Sequence, residues 1–198
     1  MSVKLIIKDE DCDIEQSKFF GEILLPEKWL LDDVFSPDEL FLCQINLDDL
    51  ASAVGKTLLP DHGMLYFFID YKKKPQAVVR YFDGEADAYT LFNEDWEGDY
   101  DVITEWAIDF SSRLDKSLFR LEKGAGVQSE NDFSAIDDFS AMLVKDENVE
   151  SGEIAILKYV PDTSDFDFLS GTNKTVYFVM KESALKQSDF SSVTLKIV

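Results

Sequence analysis

The chain is poor in the residues that metal and nucleophile chemistry most often needs. It has one histidine, His62, and two cysteines, Cys12 and Cys43. A histidine-rich zinc site is excluded by count, and these three residues have no ligand spacing. Two unpatterned cysteines in a chain this long do not make a disulfide scaffold. Cys43 lies in an apolar run and reads as a small core residue. Basic residues are also scarce: 19 Lys and Arg face 40 Asp and Glu, for a net charge of −21. Duplex binding rests on neutralising phosphates with Lys and Arg, so nucleic acid is a poor partner. An anionic membrane surface is disfavoured for the same reason. No stretch approaches the roughly 18 apolar residues of a membrane-spanning helix. The apolar run after Met1 is too short for a signal peptide, and the cytoplasm is the expected compartment.

Catalytic motifs are equally thin. Gly124-Ala125-Gly126 lacks the Lys-Ser/Thr that a phosphate-binding loop requires. His62 sits between Asp61 and Gly63 in a turn and reads as an ordinary loop histidine, with no motif-like nucleophile nearby. Carboxylate pairs suited to glycoside chemistry will arise by accident among so many acids. No catalytic residue, no cofactor and no metal site is expected. An enzyme without a recognised motif stays as an alternative.

What the chain does have is apolar mass. It is 45% hydrophobic and 13% aromatic, with 16 Phe. A chain of 198 residues removes roughly 70% of its unfolded surface from water, enough to fold without disulfide or metal. Much of that apolar content reads as one unit written twice. Leu40–Leu47, Gly63–Ile69 and Ala77–Phe82 form the first copy. Glu153–Val160, Lys174–Met180 and Ser192–Ile197 form the second. Tyr66-Phe67 and Tyr177-Phe178 mark the same point in each. The expectation is a single body over 1–198 with repeat units at about 40–82 and 153–197, each covering the other's apolar face.

Local signals fill in the rest. Val3–Lys8 reads as a short strand. Gly21 and Pro26 argue for irregular chain anchored by aromatics before Trp29. Asp48 is a plausible N-cap and Gly55 a plausible end of a short helix. Tyr71–Pro75 is a basic hairpin loop between two β-forming runs. Trp106, Ile108 and Phe110 alternate as on a half-buried strand. Ser129 and Asp132 form an imperfect capping box before an apolar stripe of Phe133, Ile136, Phe139 and Leu143 at helical spacing.

Asp83–Asp101 is the most acidic segment. Ten carboxylates and no Lys or Arg lie between Arg80 and Arg113, with Tyr89, Phe92, Trp96 and Tyr100 interleaved. Carboxylates of this kind steer a basic protein, and aromatics anchor the contact. The candidate partner-binding residues are Glu94, Asp95, Trp96, Glu97, Asp99, Tyr100 and Asp101. The plainer alternative packs the aromatics inward and leaves the carboxylates in water. Asn93, Asp95 and Glu97 followed by Gly98 match the start of an EF-hand loop, but Thr104 stands where a bidentate Glu is needed.

Ser17-Lys18-Phe19 with Gly21 and Leu25-Pro26, then Leu42–Leu47 with Leu59-Pro60, Gly63 and Leu65–Phe68, then Val176–Val179 with Ser188–Val193 together resemble the YwqG-like family, also called the DUF1963 domain. The resemblance runs from about Ser17 to Val198. It implies an α+β fold: mostly antiparallel β-sheets in two similar duplicated halves with a few short helices. It implies no catalytic residue, because the family has no settled activity. Some relatives lie near secreted-toxin systems, and the resemblance therefore implies an immunity or toxin-associated role. Relatives carry a His-Lys and Gly-Tyr-Pro segment; here Lys116–Gln128 stands in its place, with Gly126-Val127-Gln128 as its echo and no His. The leading expectation is therefore a protein-interaction role, with immunity against a basic toxin as its sharpest form. The alternative is a small-ligand module with a cleft between the halves.

Overall fold

The computed structural model describes residues 2–8, 10, 12–84, 86–93, 104–112, 139–160 and 174–198. Runs rich in β-branched and aromatic residues become strands. In chain order these are β1 (Val3–Lys8), β2 (Lys18–Phe19), β3 (Ile23–Leu25), β4 (Glu39–Asn46), β5 (Met64–Asp70), β6 (Gln76–Phe82) and β7 (Ala88–Thr90). They continue as β8 (Trp106–Ser111), β9 (Ala141–Met142), β10 (Glu153–Tyr159), β11 (Val176–Lys181) and β12 (Thr194–Ile197). The short helices are α1 (Glu27–Leu31), α2 (Leu47–Val54) and α3 (Glu182–Leu185). The architecture is α+β and mostly antiparallel.

Ten strands form one sheet in the order β12-β11-β10-β9-β1-β8-β2-β4-β5-β6, and β3 pairs β7 apart from it. The two ends of the sheet are three-stranded meanders, β4-β5-β6 and β10-β11-β12, called here the first and second wings. Tyr66 and Tyr177 each lie on the middle strand of a wing. Tyr66 faces Gln44 and Arg80, and Tyr177 faces Lys158 and Lys196. Each wing also breaks register at a matching place, between Phe41 and Cys43 and between Ala155 and Leu157. A bulge puts two consecutive residues on one face. Leu42 and Cys43 accordingly share the main core, as do Ile156 and Leu157.

The centre of the sheet is interlocked. β1 lies between β8 and β9, and β8 lies between β1 and β2. The first strand of the chain thus sits beside elements of the second wing's side. β1 and β8 run antiparallel through the pair Ile6 and Asp109.

The sheet curls so that its two wings share an apolar interior. The Phe67 and Phe178 rings meet edge-on at 5.2 Å. The edge strands β6 and β12 also approach each other, and Tyr81 of β6 packs 5.8 Å from Phe190. On the outside of the first wing, Phe41, Tyr66 and Phe68 are covered by Trp29, Phe35 and Phe92. On the outside of the second, Ala155, Tyr177 and Val179 pack with Phe139 and Val149.

Three local expectations need correction. The chain from Gly21 to Trp29 is not irregular, since Ile23–Leu25 pairs with β7 as β3 and Trp29 lies inside α1. Asn46, not Asp48, caps α2: its side chain accepts the N–H groups of Asp48 (3.0 Å) and Asp49 (3.3 Å). Asp48 instead accepts the Gly63 N–H at 3.1 Å, and its charge suits the first turn of the helix. Gly55 ends α2 with φ 77°. The helix stripe through Phe139 and Leu143 also fails at its described end. Ala141–Met142 is β9, and Leu143 takes a left-handed φ of 57°. The earlier stripe residues, Phe133 and Ile136, lie outside the described residues, with Ser129 and Asp132.

Candidate functional site

The predicted contact residues Glu94, Asp95, Trp96, Glu97, Asp99, Tyr100 and Asp101 lie outside the described residues, as does Lys116–Gln128. The chain on either side of the acidic run is described, and it is firmly fixed. Asn93 is buried and inserts into the first wing. Its Oδ1 accepts the Phe41 N–H at 2.9 Å, and its Nδ2 donates to the Phe41 carbonyl at 3.0 Å. The first residue of the EF-hand-like stretch is thus engaged with backbone.

Three described acids near the predicted contact residues in sequence have partners. Asp87 Oδ1 accepts the Glu27 N–H at 2.8 Å. Asp109 pairs with Lys8 at 2.6 Å. Glu105 pairs with Lys18 at 2.8 Å. The aromatics divide between the two expectations: Phe92 packs inward on Phe35 and Phe68, while Tyr89 is 69% exposed.

The pair of Lys18 and Glu105 explains much of the Ser17–Gly21 motif. The Ser17 hydroxyl accepts the Asn46 N–H at 2.8 Å. The Lys18 side chain is 1% exposed and ends on Glu105. Phe19 enters the core. Phe20 turns left-handed with φ 53°, as Leu143 does after β9, and its N–H donates to Leu42 O at 3.0 Å. Gly21 then lies under Glu105, where an added Cβ would be 2.5 Å from the Glu105 Cβ, at φ +72°. Only glycine fits both demands. Burial alone would raise the Glu105 pKa, but the Lys18 hydrogen bond and charge outweigh it and hold the carboxyl below its usual range. Cys12 bonds to the same carboxylate, and burial pushes its thiol up to about 11. A thiol so held is a poor nucleophile.

A second polar group lies on the second wing. The Tyr177 hydroxyl donates to Asp146 Oδ2 at 2.9 Å and accepts from Asn148 Nδ2 at 3.1 Å. The Lys158 ammonium lies 3.8 Å from the same Asp146 oxygen and 5.6 Å from the Tyr177 ring centre. Nothing local in the sequence marks these groups, because each partner comes from another element.

A cavity of about 520 Å³ opens beside the central strands, between α2 and β8. Ile6, Gln16, Asp49, Ser52 and Asp109 line it. Burial, then the charge of Asp48, raises the Asp49 pKa. Lys8 bridges Asp109 (2.6 Å) and Glu10 (3.1 Å), which with Asp49 are the carboxylates of its wall.

His62 is exposed, with Nδ1 3.0 Å from Asp61. Among the described residues no group of three His, Cys, Asp or Glu side chains is arranged to hold a metal. No described helix is long and apolar enough to cross a membrane.

The layer that covers the first wing presents a different surface. Trp29 packs 5.7 Å from both Tyr66 and Phe82, and Phe35 packs 5.6 Å from Phe68. With these rings turned inward, Leu30, Leu31 and Val34 face water at 39%, 77% and 42% exposure. Sequence reading missed them; the only signal is Leu30-Leu31 set directly before Asp32-Asp33.

No curated protein matches the chain. Residues 17–197 match the family described as "Domain of unknown function (DUF1963)", and over that span the chain belongs to it.

Proposed function

We propose that this protein works by binding a basic protein, within the cytoplasm, and that a basic toxin which it neutralises is the partner class that suits it best. One observation carries this reading: acids outnumber bases 40 to 19, and each ion pair removes one of both and leaves that excess unchanged. Lys8, Lys18, Arg80, Lys145, Lys158 and Lys196 all lie in ion pairs among the described residues. A net charge of −21 therefore falls mainly on the surface as unneutralised carboxylate, and such a field draws and orients a cationic surface. The acidic run from Asp83 to Asp101 is the steering element. Immobilised protein should capture a basic protein from native extract at low salt and release it at high salt. A captured partner indifferent to salt overturns the reading, as does the absence of any basic partner.

The wings support a second proposal, that the body is two copies of one unit. Strand order, bulge position, the central Tyr and the left-handed residues Phe20 and Leu143 correspond across the sheet. A cavity beside the central pair favours the small-ligand alternative. Mass spectrometry of small molecules released on denaturation tests it: a stoichiometric compound supports it, and none removes it.

A further inference from the structure

We infer that the outer face of the layer over the first wing, centred on Leu31 with Leu30, Val34 and Tyr89, is the surface on which the basic partner docks. The inference rests on the binding reading above and adds its location. Four of the six large hydrophobic side chains exposed among the described residues belong to this one layer. Clustered exposed apolar groups mark contact sites, whereas scattered ones need no explanation.

The layer is held rigidly. Trp29 and Phe35 anchor α1 and the turn after it to the first wing. The Val34 N–H donates to Trp29 O at 3.2 Å, and Asp33 takes φ 52° to make that turn. The Glu27 N–H bond to Asp87 ties α1 to the segment of Tyr89, and Tyr89 faces Leu24 across the β3–β7 ladder. A surface fixed in this way loses little conformational freedom on binding.

Charge chooses the occupant. Residues 22–36 and 86–93 carry Glu22, Glu27, Asp32, Asp33 and Asp87 against the single base Lys28. All six are exposed. An apolar centre with a carboxylate rim fits a protein face whose own apolar anchor is ringed by Lys and Arg. A second copy of this chain would bring like charge to the rim, and an anionic bilayer would be repelled.

The test uses the full chain with a photoreactive phenylalanine at Leu31, and a control at Leu58, which is 42% exposed but outside the layer. After irradiation in the native cell, the adduct at Leu31 should be one basic protein. Its purified form should then bind Leu31→Ser and Tyr89→Ala chains about tenfold more weakly, mainly by faster dissociation. Binding to Leu58→Ser should be unchanged. The melting temperatures of the variants should match the parent, because these side chains are exposed. A basic, salt-sensitive partner that crosslinks elsewhere and ignores Leu31→Ser overturns this surface and leaves the binding reading intact. An adduct with a second copy, a lipid or an acidic protein overturns the inference. So does the absence of an adduct at Leu31, and if salt-sensitive capture of a basic protein also fails, the binding reading falls with it.

Discussion

The two wings solve the same packing problem with different chemistry. In each, the first residue of the first strand pairs with a base on the third strand: Glu39 with Arg80, and Glu153 with Lys196. The first pair is bidentate at 2.8 and 2.9 Å, and its side chains are 14% and 6% exposed. The guanidinium also lies 4.7 Å from the Phe35 ring centre. The second is a single contact at 3.2 Å, with side chains 30% and 24% exposed. The middle tyrosines differ likewise. The Tyr66 hydroxyl donates to a backbone carbonyl, Leu24 O, at 2.7 Å, whereas Tyr177 bonds to the Asp146 carboxylate. Strand geometry places polar groups at corresponding points, and the covering segment decides how each is satisfied. Arg suits the first wing because its planar fork tolerates burial and stacks on aromatics.

The shared interior should give the largest effects. Phe67→Ala and Phe178→Ala should each cost about 4 kcal/mol, by lost transfer energy and a cavity. Because the rings touch, the double variant should cost less than the sum, by about 1 kcal/mol or more. Urea melts of the single and double variants measure this. Strict additivity would mean that the wings do not share one core.

Next come the ion pairs. Arg80→Ala should cost about 3 kcal/mol, because it strands the buried Glu39 carboxylate. Lys196→Ala should cost under about 1 kcal/mol, since its pair reaches water. Equal costs would erase the distinction drawn between the wings. The pair at the centre of the sheet is lopsided. Glu105→Ala leaves the buried Lys18 unpaired and should cost about 3 kcal/mol, while Lys18→Met leaves a carboxylate that can hydrate and should cost far less. The folded Glu105 carboxyl titrates below its ordinary 4.5. Its contribution is therefore present above about pH 4.5 and is lost as pH falls through the lower folded value. Acid melts of Glu105→Gln should show a shallower loss over that window.

Much of this framework is legible in the chain, and the exceptions have physical reasons. The β-branched and aromatic runs of both wings announce their strands, and Cys43 reads correctly as core. The bulges do not announce themselves, because Leu42-Cys43 and Ile156-Leu157 look like any apolar run. Phe139 and Leu143 are four apart and mimic a helix face, yet Leu143 turns left-handed. The β1–β8 ladder joins residues about a hundred positions apart, and no local pattern records a pairing at that range. Lys18 finds Glu105 at a separation of 87 residues, so its burial could not be read from its neighbours.

The tyrosine hydroxyls should show a smaller contrast. Tyr66→Phe removes a neutral bond and should cost about 1 kcal/mol, while Tyr177→Phe removes a charge-assisted one and should cost about 2 kcal/mol. Thermal or urea melts of the two variants decide it, and the reverse order would mean that the Tyr177 bond to Asp146 stabilises the fold less than the Tyr66 bond to Leu24.

The smallest expected effect concerns reactivity and not stability. Both cysteines belong to the first wing's side, so thiol labelling reports on that wing alone. Cys43 is fully buried at the bulge and should react only when β4 opens. Cys12 is partly exposed, but its thiol is pushed from 9.0 to about 11, first by burial and then by the Glu105 carboxylate against the opposing charge of Lys18. At pH 8 the thiolate fraction should therefore be about 100-fold lower than for an unperturbed thiol, and alkylation should slow accordingly. Glu105→Gln removes a raising charge and should speed Cys12 labelling, whereas Lys18→Met removes the lowering charge and should slow it further. Cys43 labelling should respond to neither charge directly, only to lost stability. If Lys18→Met speeds Cys12 while Cys43 stays protected, the three groups are not coupled as the geometry requires. If both cysteines speed up together in Glu105→Gln, the pair holds the first wing closed, and the second wing's looser polar contacts have no equivalent role.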